Sequence, residues 1–317
     1  MSFRIRRGER IPRAVARMAR SELEDAHAAL TARSRSLATR VHDVRAAIKK
    51  VRALVRLVEP VVGSSAAKAE KRLRSIAHTL APLRDARVAL DTFSDLTHEI
   101  GRAHSRDLAK AHRKLARGLH AKSDPLASQR KLREIAADLE RARRDVKKWK
   151  PDDEGWSAIR AGFTRGYRRA RRTMRRACTE RTNETFHAWR RAVKVHRYHV
   201  HALAALWPKE MDASCSELEE LGNLLGREHD LVILEQSLRD ERACFADERD
   251  CAELLAKLDE ERDRIRREAD LLGRRLFAER PKSYRERMRR YFEAFEEEPP
   301  GMAEQVLAHR SPSIDHG

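Results

Sequence analysis

Two stretches of the chain repeat one spacing of cationic side chains. His42, Arg45, Lys49, Arg52 and Arg56 follow one another in steps of three and four, and so do His187, Arg190, Lys194, Arg197 and His201. The chemistry of such a set is anion recognition. A guanidinium binds phosphate oxygens bidentately, an ammonium acts as a point charge, and an imidazole donates in either charge state. On a helix the first set runs roughly 21 Å along one face, at about 1.5 Å per residue. A row of evenly spaced cations suits a linear chain of evenly spaced anionic groups. The rows themselves contain no aromatic residue, which favours a ligand without bases to stack.

A helix must carry each row, and the apolar residues say where it sits. Val41, Val44, Ile48, Val51, Val55 and Val58 keep the same alternation one residue out of step with the cations. One residue is about 100° of rotation. Each basic stripe therefore lies directly beside the core-facing stripe and can line a groove between packed helices. Phe186, Trp189, Val193, Val200 and Leu203 play the same part in the second stretch, with His196 interrupting.

The composition agrees with a helical protein. Of 317 residues, 41% are hydrophobic and 38% charged, with only 12 Gly and 10 Pro. Leu, Ala, Arg and Glu dominate, and period-two β-branched runs are absent, so no sheet is expected. The formal charge of +19 resists compaction unless a polyanion offsets it. Nucleic acid, an anionic membrane surface and inorganic phosphate polymers all qualify on charge alone. Four cysteines without C-x-x-C or zinc spacing read as reduced thiols. The first residues lack the apolar core of a signal peptide, and no apolar run has membrane-spanning length, so a cytoplasmic protein without membrane insertion is expected.

Breakers at Pro60-Val-Val-Gly63, Ser123-Asp-Pro125, Trp207-Pro208 and Pro281 divide helical blocks, and Pro151–Gly155 marks a boundary between halves. The halves repeat. H-x2-R-x3-K-x2-R occurs from His42 and from His187, an offset of 145 residues. Asp85 and Asp230, Leu73 and Leu218, and Ile76 and Leu221 keep that offset. Leu126 with Leu271 and Arg130 with Arg275 keep it more loosely. The expected architecture is all-α: two four-helix bundle units from an internal duplication, about 10–150 and 155–297, within one domain of 2–297. Residues 298–317 read as a disordered tail.

On these residues the chain resembles the CHAD family, the conserved histidine α-helical domain. Val41-His-Asp-Val-Arg-Ala-Ala-Ile-Lys-Lys-Val-Arg52 is similar to its first signature. Leu83-Arg-Asp85 and Leu225-Gly-Arg-Glu-His-Asp230 are similar to its second, and Phe277-Ala-Glu-Arg-Pro281 with Arg287 to its C-terminal stretch. The likeness runs from about Ser2 to Phe295. It implies two bundles related by a pseudo-twofold axis around a basic groove, and inorganic polyphosphate as ligand, often at polyphosphate granules. By matching position, the binding residues would be His42, Arg45, Lys49, Arg52, His187, Arg190, Lys194 and Arg197, with Arg56 continuing the first stripe. Lys50, Arg84, Arg130, His201 and Arg275 are further candidates for binding the same ligand. The copies differ where His229 stands for Arg84 and Val195 for Lys50. With no space for an attached triphosphate-hydrolase domain, the reading is a stand-alone binder.

Other chemistry is weaker. His42-Asp43 resembles the pair of a metal-dependent phosphohydrolase, but Asp43 has Ala188 as its counterpart and points about 100° away from His42. His196, His199 and His201 cluster without zinc spacing. No metal, cofactor or catalytic residue is expected, and the protein is read as a non-enzyme. Asp85 and Asp230 either orient stripe residues or form helix–helix salt bridges. The basic run Tyr167–Arg176 either widens the binding surface or is solvated. The competing functions are nonspecific nucleic-acid binding, which is weak at physiological salt, and a scaffold or regulator that joins granule proteins or a polyphosphate-metabolising enzyme.

Overall fold

The computed structural model describes residues 3–32, 34–80, 125–149, 154–240 and 248–298. Among them the secondary structure is entirely helical. The first unit consists of α1 (Ile11–Thr31), α2 (Leu37–Val62), α3 (Ser64–Thr79) and α4 (Pro125–Val146). The second has α5 (Ser157–Glu180), α6 (Asn183–Ala202), α7 (Pro208–Asp240) and α8 (Glu248–Leu276), followed by α9 (Pro281–Glu297). Packing repeats between them. α1 lies on α2 and α4, and α3 on α2 and α4; likewise α5 lies on α6 and α8, and α7 on α6 and α8. Residues 150–153 and 299–317, with most of the expected tail, lie outside the described residues.

Local chemistry sets the helix ends. Ser36 and Thr182 cap α2 and α6, each side-chain oxygen accepting from the backbone N–H three residues on. Pro208 and Pro281 begin their helices, where no N–H is needed. The break expected at Pro60–Gly63 is present, with Pro60 itself carried within the last turn of α2. The helix ends at Gly63, whose positive φ of 64° turns the chain into α3.

Every apolar position assigned to the core of α2 is buried, as are Phe186, Trp189, Val193 and Val200 on α6 and Leu203 just past its end. Fully burying one such side chain contributes about 1.5–3 kcal/mol. α2 also buries a second face, Ala53, Leu54 and Leu57, because α5 and α6 pack across it and join both units in one core. The approach to α5 is close. A Cβ on Gly162 would overlap the Leu57 carbonyl and stand 2.7 Å from that of Arg56. The constant offset does not reach the fourth helix of each unit. Arg130 and Leu126 lie near the start of α4, whereas Arg275 and Leu271 lie near the end of α8.

Candidate functional site

Each stripe lies where its helix meets the third helix of its unit. On α2, Arg45 donates to the Ala77 carbonyl of α3 at 3.3 Å. Arg52 reaches Glu70 of α3 through Nε at 3.2 Å and Nη2 at 2.8 Å, and Arg56 Nη2 meets the same Glu70 Oε1 at 2.8 Å. Glu70 is 13% exposed. Burial alone would raise its pKa, but the Arg52 hydrogen bond and the charges of Arg56 and Arg52 hold it below the usual carboxylate range. His42 is exposed near the start of α2, and Lys49 is half-buried.

On α6 the stripe faces α7. His187 Nδ1 lies 3.3 Å from His229 Nδ1, their rings tilted with centroids 4.4 Å apart. One ring must donate and the other accept. Arg190 is only 8% exposed and lies beside Gly226 of α7. Lys194 is half-buried. Arg197 pairs with Glu219 of α7 and stands 5.0 Å over the Tyr198 ring. His201 lies against Phe3. Its pKa is lowered by burial first, then by Arg4, Arg197 and Lys50, against the pull of Asp212. Asp230 is half-buried on α7, directly after His229.

Behind the second groove is a buried ion pair. Arg266 of α8 donates to Glu228 at 2.5 and 3.0 Å, to the Arg181 carbonyl at 3.0 Å and to Asn183 at 2.7 Å. The guanidinium also covers Phe186, 4.5 Å from the ring centroid. This network ties α7 and α8 to the turn between α5 and α6.

The two stripe-bearing helices meet where α2 packs on α6. His199, two residues past Arg197, bonds the Ala53 carbonyl of α2 at 2.8 Å. A carbonyl only accepts, so Nε2 carries the proton. Burial pushes this histidine down to about 4, with Arg56 adding to the shift against the opposing hydrogen bond to Ala53, and pushes His196 down to about 3, with His199 contributing. His196 Nε2 lies 3.3 Å from the Tyr284 hydroxyl. These two histidines, which looked incidental in the sequence, are core groups.

Lys50 turns away from the groove. It pairs with Glu22 of α1 at 2.8 Å and stands over Phe3. Arg130 is exposed and pairs with Glu134 on its own helix, and Arg275 is exposed on α8. Arg84 and Asp85 lie outside the described residues. Asp43, the partner of His42 in a hydrolase reading, pairs with Arg35 at 2.9 Å. Among the described residues no three metal-ligating side chains gather. Sequence reasoning missed Glu70, Glu219 and Glu228. Glu70 carried a usable signal, since it follows Ala69 and precedes Leu73 on the core side of α3.

Among the described residues no helix is long and apolar enough to cross a membrane. Comparison with curated proteins gave no match. The fold is similar to the crystal structure of the CHAD domain from the plant Ricinus communis, with a TM-score of 0.59 and 16% identity over 89% of this chain and 96% of that one. The sequence matches the CHAD domain over residues 14–239, and with most of its length so matched the chain belongs to the CHAD family.

Proposed function

We propose that the protein binds inorganic polyphosphate without catalysis, through the α2–α3 and α6–α7 grooves. One observation carries the reading: two copies of a single His/Arg/Lys row occupy corresponding seams between helices, on two helices that pack against each other. The family is associated with polyphosphate-related proteins. Arg45, Lys49, Arg52 and Arg56 would neutralise successive phosphates in one groove, and Arg190, Lys194 and Arg197 in the other. His42 and His187 would add a component sensitive to pH. A location at polyphosphate granules follows from such a ligand.

The test compares long-chain polyphosphate with single-stranded DNA of matched charge, from low to physiological salt. A second protein carries Arg45, Lys49, Arg190 and Lys194 changed to Gln. Expected is polyphosphate binding that survives salt while DNA binding fades, and a loss of at least about tenfold in the variant, since charge-assisted hydrogen bonds contribute about 1.5–3 kcal/mol each. Equal fading of both ligands, with the variant behaving as a protein short of four charges, would replace a dedicated site with generic polyanion binding.

A further inference from the structure

The two copies differ in chemistry at the residue before the repeated aspartate. The first has Arg84, a cation of fixed charge; the second has His229. His229 Nδ1 lies 3.3 Å from Nδ1 of His187, the first member of the second stripe, and both rings are half-buried where α6 meets α7. A hydrogen bond between these atoms needs an N–H on one ring and a lone pair on the other. A first proton can be added at Nε2 of the donor ring and leaves that bond in place. A second can be added only at the accepting Nδ1. It breaks the bond and leaves two cationic rings whose centroids are 4.4 Å apart.

The charges around the pair come from several helices. On α6, Glu184 and Arg190 stand one turn to either side of His187, with Lys194 a turn beyond. On α7, Asp230 follows His229, and Arg227 pairs with Glu261 of α8. Glu228, buried between them, is held by Arg266 of α8, with Arg262 and Arg190 adding to the offset. Arg181, in the turn between α5 and α6, pairs with Asp263 of α8. α2 meets α6 about three turns further on, at His199. Arg190 and Lys194 thus disfavour a second positive charge on the pair, Asp230 favours it, and Glu184 is exposed and screened. An anion laid along the stripe would shift that balance toward the charged form.

We propose that His187 and His229 form a proton-operated element of the second groove. Without ligand they share a hydrogen bond across the α6–α7 seam. A bound polyanion draws a second proton from solvent, parts the rings and is met by two imidazolium cations. This rests on the polyphosphate reading, adds His229 to that site and makes its affinity depend on pH. Binding that takes up protons strengthens as the pH falls.

The experiment uses the full chain, His187→Gln, and His229→Arg, which copies Arg84. Long-chain polyphosphate is titrated calorimetrically at pH 8, 7 and 6 and constant ionic strength, in buffers of different ionisation enthalpy, so that proton uptake is counted. Wild type should gain up to about tenfold in affinity per pH unit for each proton taken up. His229→Arg should bind at least as tightly as wild type at pH 8, yet take up about one proton fewer and lose the matching share of the gain. His187→Gln should lose the same uptake and bind more weakly throughout. Nitrogen NMR of the wild-type rings should show a coupling between the two Nδ1 atoms through the shared proton at pH 8. It should survive the first protonation and vanish with the second, or on addition of polyphosphate.

Equal proton uptake and equal pH dependence in wild type and His229→Arg would overturn the element and leave the polyphosphate reading standing. Failure of wild type to bind polyphosphate at any pH would overturn that reading instead. The ligand-free spectra then decide the pair, even where a variant does not fold: a coupling lost only with the second proton retains it, and rings that protonate independently remove it.

Discussion

The two grooves come from one repeated pattern, yet they hold their cations differently. In the first, Arg52 and Arg56 share a single carboxylate, Glu70, which is 13% exposed. In the second, the position 145 residues after Glu70 is Cys215. Arg197 instead finds Glu219, one turn further along α7 and 57% exposed. The central helices differ too. Val51 and Leu54 of α2 correspond to His196 and His199 of α6, aliphatic core against buried imidazole. The repeated pattern therefore keeps the row of cations while the groups behind it differ. The row lies at the seam where the proposed ligand would bind, whereas the supporting groups need only fill space and satisfy hydrogen bonds.

The largest expected effect lies behind the second groove. The first copy has Leu83 where the second has Glu228, so the buried Glu228–Arg266 pair belongs to one unit only. Arg266→Ala leaves a carboxylate buried without its partner and should cost about 3–5 kcal/mol in chemical denaturation. The double variant Glu228→Leu, Arg266→Met should recover most of that loss, because it removes both charges and keeps the volume. A double variant as unstable as the single one would mean that the hydrogen bonds to Arg181 and Asn183, not the charge pair, hold this corner.

Acid should also act on the second unit. Unfolded histidine titrates near 6.5, whereas His196 and His199 are held at about 3 and about 4. Below pH 6.5 the unfolded chain binds more protons. Stability is therefore full above that pH and declines as the pH falls toward 4, by about 2 kcal/mol per histidine at pH 5. His196→Val, which copies Val51, should flatten the dependence of stability on pH between 7 and 5, whatever it does to stability at pH 7. An unchanged slope would place the acid sensitivity in other groups.

Much of this was legible in the sequence. The offset of 145 residues and the three-four alternation fixed the helical class, the core faces of α2 and α6 and the position of the stripes beside them. That was possible because these properties depend on spacing along one helix. What lay between helices was not legible. Glu70 reads as one more charge on a charged helix until α3 is laid against α2. His199 reads as a loose histidine until Ala53 appears opposite its Nε2.

A smaller effect tests the two carboxylates directly. Glu70→Gln should free Arg52 and Arg56, cost about 1 kcal/mol of stability, and tighten polyphosphate binding several-fold at constant salt. Glu219→Gln should change binding less, because an exposed partner is already screened. Equal effects from the two would show that burial of the counter-ion does not distinguish the grooves.

The smallest effect is expected from Arg130→Ala. Sequence register paired Arg130 with Arg275, but the two lie at opposite ends of α4 and α8, so neither repeats the other's place. Arg130 is exposed and already pairs with Glu134 one turn away, an interaction of about 0.3–0.5 kcal/mol. Its loss should change stability by no more than that. It should weaken polyphosphate and DNA by the same small factor, an effect that vanishes as salt rises. A selective loss of polyphosphate binding in this variant would extend the first groove onto α4, and the contrast between the units would then include their outer helices.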